Sequence, residues 1–143
     1  MSSVIEELLE RPYWVVDFLP RQVPADCGER FFAVEPYFLN GTRGSELRRK
    51  FADLLLKLNC YYAFQYFPGA GDEPAEDPDP DRLRDWLSGE GVALNVLIGS
   101  EHTLITYSSG STNLTVYDPS PAVLELIRQL AGAEGLFVWK PPQ

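Results

Sequence analysis

The sequence predicts an α+β fold, a single domain with a largely antiparallel sheet and helices packed on it. Three observations carry this reading. SELRRKFADLLLKLN (45–59) places Leu47, Phe51, Leu54, Leu55 and Leu58 on one face at helical spacing. VALNVLIG (92–99) and HTLITYSSGSTNLTVYD (102–118) are consecutive β-rich runs, which favour a meander over βαβ units. A chain of 143 residues, 45% of them hydrophobic, is long enough to bury one sizeable core.

The elements follow in chain order. Ser2 or Ser3 can cap a short helix whose apolar stripe is Val4, Ile5, Leu8 and Leu9, with Pro12 as its stop. YWVVDFLP (13–20) reads as a strand and RQVPADCGER (21–30) as a loop. FFAVEPYFLNG (31–41) is apolar and aromatic, but Pro36 bars a central strand, so an edge strand or bent segment closed by Asn40-Gly41 is expected. After the helix at 45–59, NCYYAFQYFPG (59–69) reads as a strand. Its alternation sends Tyr62, Phe64 and Tyr66 one way and Tyr61, Gln65 and Phe67 the other.

The stretch 68–80 is an acidic surface loop rich in Pro and Gly, followed by a helix at 80–88 facing Leu83, Trp86 and Leu87 inward. Ser120 or Asp118 can cap a helix with Pro121 in its first turn and Val123, Leu124, Ile127 and Leu130 on one side. LFVWK (136–140) makes the last strand.

The formal charge of −9 speaks against nucleic acid as the partner, since phosphate binding needs clustered Lys and Arg. No run of 18 apolar residues exists to cross a membrane. MSSVIEELLERPYW carries acids where an export signal needs a basic start, which predicts a cytoplasmic protein with Cys27 and Cys60 as thiols. Cys60 is expected to be a small buried hydrophobe.

Catalytic signatures are thin. His102 is the sole histidine, and the two cysteines have no metal-type spacing, so no metal site and no cofactor is predicted. The candidate catalytic pair is Cys27, in the loop ADCGER, with His102. The acids at 72–81 lack the spacing of a calcium loop, and no phosphate-binding glycine pattern occurs.

The binding candidates come from three places. Tyr61, Gln65 and Phe67 form the second face of the aromatic strand. Arg48 and Arg49 belong, with Arg43, Lys50 and Lys57, to five of the twelve basic residues concentrated around one helix, and Asn113, Thr115 and Tyr117 form the polar side of the hairpin.

Taken together, LPRQVP (19–24), FFAVEPYFL (31–39), LLLKLNCYY (55–62), TLITYSSGSTNLTVYDPS (103–120) and EGLFVWKP (134–141) resemble a group of small bacterial proteins of unknown function. The resemblance covers most of the chain and implies one compact domain. It implies no activity, so no functional residue carries over.

The reading is a non-catalytic, cytoplasmic protein-binding module of adaptor or inhibitor type, acting through an acidic, aromatic-bearing surface. A basic protein is the electrostatic complement of such a chain. The alternative is a small enzyme or small-ligand binder with a cleft lined by Tyr61, Tyr62, Tyr66 or Trp139 and served by Cys27 or His102. A homo-oligomer built on 31–39 or on the hairpin face is a third expectation.

Overall fold

The computed structural model describes residues 3–69, 74–76, 79–88, 93–108 and 111–142. Seven strands form one antiparallel sheet: β1 (Tyr13–Asp17), β2 (Gln65–Pro68), β3 (Ala75–Glu76), β4 (Ala93–Ile98), β5 (Thr103–Ser108), β6 (Asn113–Tyr117) and β7 (Phe137–Trp139). Their order across the sheet is β3-β2-β4-β5-β6-β1-β7. The expected meander is β4-β5-β6, and β1 sits between it and the edge strand β7.

Among the described residues five α-helices accompany the sheet: α1 (Ser3–Leu8), α2 (Gly28–Leu39), α3 (Gly41–Asn59), α4 (Pro80–Ser88) and α5 (Pro121–Ala133). The sheet alternates strictly, so its two faces carry different residues. On one face Tyr66, Val96, Ile105, Val116 and Val16 meet the apolar stripes of α3, α4 and α5. Those stripes are the periodic ones: Leu47, Phe51, Leu54, Leu55 and Leu58 on α3, Leu83 and Leu87 on α4, Val123 and Ile127 on α5. The opposite face has a smaller core, in which Ile5 and Leu8 of α1 cover Phe67, Leu97 and Leu104. Ser120 caps α5 as expected, its Oγ accepting from the Val123 N–H at 3.2 Å, with Pro121 as the first helical residue.

The largest departure from the sequence reading is α2. Residues 31–39, expected as an edge strand or bent segment, are helical with Pro36 inside the helix. Proline removes the bond its N–H would make to the Phe32 carbonyl. Both residues are exposed, so that carbonyl is left facing water rather than apolar surroundings. The segment is apolar on every side, which hides the helical period.

A single residue, Asn40, joins α2 to α3 in extended conformation (φ −101°, ψ 154°). Its N–H closes α2 on the Pro36 carbonyl at 3.0 Å, and its own carbonyl accepts from Gly44 at 3.3 Å. The helix expected to start at Ser45 therefore starts at Gly41, and Ser45 Oγ donates back to the Gly41 carbonyl instead of capping. The Leu39 carbonyl, one of the orphan acceptors at the end of α2, receives Arg48 Nη1 at 3.4 Å.

The aromatic run also differs. Cys60–Tyr62 belong to the turn that ends α3, and the strand is confined to Gln65–Pro68. Phe64 and Tyr66 are buried on the helix side and Phe67 on the α1 side, so three of the five rings are core. Cys60 is exposed, not buried, because it closes the helix end with its N–H on the Lys57 carbonyl. Within the acidic stretch, Ala75–Glu76 pairs with Gln65–Tyr66, a short strand where only loop was expected.

Gly44 lies so close beneath the end of α2 that an added Cβ would collide with the Leu39 carbonyl. Gly→Ala inside a helix ordinarily stabilises by about 1 kcal/mol. Gly44→Ala is expected instead to destabilise by about 1–3 kcal/mol in urea unfolding, as overpacking does. A gain in stability would contradict this close approach.

Candidate functional site

None of the twelve residues of α2 is buried, although eight of them are Phe, Tyr, Val, Leu, Ala or Pro. Phe32 is 71% exposed and Tyr37 55%, on the two flanks of α2 roughly 140° apart around its axis. Aromatic rings in water are the residues that protein interfaces favour. Their arrangement is ordered: Tyr37 packs edge-on to Phe38 at 5.1 Å, and Phe38 meets Phe18 beyond β1 at 5.2 Å. The Arg43 guanidinium lies 3.9 Å from the centre of the Tyr37 ring, a cation–π contact across the helix junction.

The inner side of α2 does not close on the body of the protein. Phe31, Val34 and Phe38, spaced i, i+3, i+7, wall a groove of about 420 Å³. Its other walls are Phe18 and Leu19 from the end of β1 and Leu47 from α3, with Gly135 at the rim. Three charged side chains of α3 also line it: Arg43, Glu46 and Lys50.

Residues 21–53 hold six of the chain's twelve basic residues and five of its twenty-one acids. The excess negative charge of the chain therefore lies outside this segment.

Asp17 directly precedes two residues of the groove wall. It is buried at the end of β1, immediately before Phe18 and Leu19. Burial pushes its carboxyl up to about 6, the largest influence on it. The N–H groups of Leu19 and Phe18 and the Trp139 indole pull the other way. Oδ1 and Trp139 Nε1 nevertheless fall short of hydrogen-bonding geometry with any partner, so desolvation prevails.

The residues singled out from sequence fall in several places. Gln65, Phe67, Asn113, Thr115 and Tyr117 share the sheet face on which α1 packs, a convergence that strand register alone produces. Phe67 is 4% exposed and belongs to the α1 core. Tyr117 packs against that core and lies 5.3 Å from the Tyr13 ring, its hydroxyl pKa raised chiefly by burial. Gln65, Asn113 and Thr115 are half-buried on the more open part of the face.

Tyr61 is 66% exposed at the end of α3, away from the strand. Arg48 is committed to the α2–α3 junction, and Arg49 pairs with Asp53 at 3.7 Å. Cys27 is exposed in a 3-10 turn (Ala25–Cys27) leading into α2. His102 faces Asp118 at 4.0 Å, both in left-handed conformation at a strand corner. No hydrogen bond or ion pair joins Cys27 to His102 among the described residues. Among those residues, too, no group of three or more His, Cys, Asp or Glu could hold a metal ion, and no helix is long and apolar enough to cross a membrane.

Sequence reasoning missed Phe32, Tyr37 and the groove because Pro36 pointed to an edge strand or bent segment over 31–39. On a helix the same residues separate into an inner stripe and an outer pair. No protein-family profile, no curated protein and no solved structure matches the chain.

The raised Asp17 carboxyl makes stability pH-dependent with a definite sign. The folded protein holds this proton more tightly than the unfolded chain, whose carboxyl titrates near 3.8. Stability from this group is therefore lost as pH rises from about 4 to about 6, and the loss is complete above that. Asp17→Asn is expected to gain about 2–3 kcal/mol over wild type between pH 4 and pH 7, at about 1.4 kcal/mol per tenfold. Parallel unfolding curves with a pH-independent difference would contradict the assignment.

Proposed function

We propose that this chain is a non-catalytic protein-binding module that presents the outer face of α2 to its partner. The observation that carries the reading is a helix held against the domain with Phe32 and Tyr37 in water and none of its twelve residues buried. A twelve-residue helix is marginal alone, so its order comes from the junction with α3 and not from its own core. The two exposed rings are then available as anchors, the residue type that dominates interface hot spots. Tyr37 is further oriented by Arg43, which limits the rotamer freedom lost on docking.

The partner supplies an apolar cleft for the two rings. The negative charge carried by the rest of the chain attracts a basic rim around that cleft at range, so raising salt is expected to slow association. A cytoplasmic setting accords with the two exposed cysteines, Cys27 and Cys60, which remain thiols in a reducing compartment.

The test is affinity capture from the native cell with wild type beside the double variant Phe32→Ser/Tyr37→Ser. Both rings are exposed, so the variant is expected to fold with nearly unchanged stability. Wild type should retain a partner that the variant loses, each truncated ring costing about 2 kcal/mol or more of affinity. Equal retention by both proteins would refute α2 as the docking face. A wild-type dimer in light scattering that the double variant splits would assign the face to self-association instead.

A further inference from the structure

We infer that the groove on the inner side of α2 is a binding site for a small apolar monoanion, a medium-chain carboxylate being the simplest member of the class. The size fits first: about 420 Å³ lies within the roughly 300–1,000 Å³ of small-ligand pockets. The walls fit next. Phe31, Val34 and Phe38 of α2, Phe18 and Leu19 after β1, and Leu47 of α3 supply apolar surface.

The charge count then selects the head group. Of the five basic residues on α3, Arg49 is paired with Asp53, Lys57 with Glu134 at 2.9 Å, and Arg48 with the Leu39 carbonyl. The remaining two, Arg43 and Lys50, both line the groove, and neither meets a carboxylate at ion-pair distance among the described residues. Glu46, one turn from each, is the sole acid lining the groove among the described residues. Two cations against one carboxylate leave a single positive charge beside an apolar cavity. One anionic group on an apolar body neutralises it, whereas a dianion would not be matched.

Lys50 is placed to make the contact, its Nζ standing beside Gly135 at the rim, where a Cβ would come within 3.7 Å. A carboxylate there would accept charge-assisted hydrogen bonds, which are about twice as strong as neutral ones. Arg43 is shared between the groove and Tyr37, but Lys50 is not, so Lys50 isolates the anion site from the outer face.

The probes are sodium decanoate and 1-decanol, titrated calorimetrically into the full-length chain. Decanoate is expected to bind at one saturable site, about tenfold tighter than the alcohol, the difference a charge-assisted contact supplies. Lys50→Gln should weaken decanoate about tenfold and leave 1-decanol within about twofold, and Lys50→Glu should abolish the preference for the acid. Phe32→Ser alone, which keeps the Tyr37 contacts with Arg43 and Phe38, should bind decanoate as wild type does, so the groove and the docking face succeed or fail separately. Absence of saturable decanoate binding, equal affinity for acid and alcohol, or a Lys50→Gln protein indistinguishable from wild type would each overturn the site.

Discussion

The Leu39 carbonyl is the point on which the rest of the arrangement depends. It ends α2, receives the Arg48 guanidinium, and lies so close over Gly44 that no side chain fits there. Because Asn40 alone spans the two helices, this contact sets the angle at which α2 leaves α3. A different angle would either lay the inner stripe of α2 on the domain and fill the groove, or swing the helix into solvent. The observed angle does neither, and so produces two surfaces from one helix. Arg48 also has a cost: its Nε is buried without a partner, as is the Tyr107 hydroxyl near which its charge acts. Burial pushes that hydroxyl up to about 12, which keeps it neutral beside the cation.

Legibility in the sequence tracked how strictly a segment obeys one period. α3, α4 and α5 bury one stripe each, and spacing named most of their inward residues, although on α5 it gave Leu124 where Leu126 and Ala131 pack instead. The meander was readable because β4, β5 and β6 pair in chain order. α2 was not readable, because a helix that is apolar on both sides shows neither period and Pro36 argues against the correct element. The aromatic run misled in the opposite way. Three of its five rings are buried, but Phe64 reaches the core from a turn rather than from a strand, so alternation counted from Cys60 had no strand to act on.

The candidate site was harder to foresee for a further reason. Its components come from the end of β1, from α2 and from α3, and only the junction at Asn40 brings them together. The basic cluster on α3 was visible as composition, yet its division into paired and unpaired cations depends on which helix turn faces the groove. Net charge likewise concealed a local fact: a chain at −9 carries a corner from 21 to 53 in which basic residues outnumber acids by one. Overall charge governs approach at range, and local charge governs what is held on contact.

The account stands on α2 being an ordered helix whose outer rings are in water. The most direct measurement is residue-resolved NMR broadening by a soluble gadolinium chelate on the isolated protein. Strong broadening at the ring protons of Phe32 and Tyr37 is expected, with the methyls of Leu47 and Leu54 and the ring of Phe51 left sharp. Phe32 and Tyr37 as protected as Phe51 would contradict it, because the helix would then be packed on the domain and neither surface would exist.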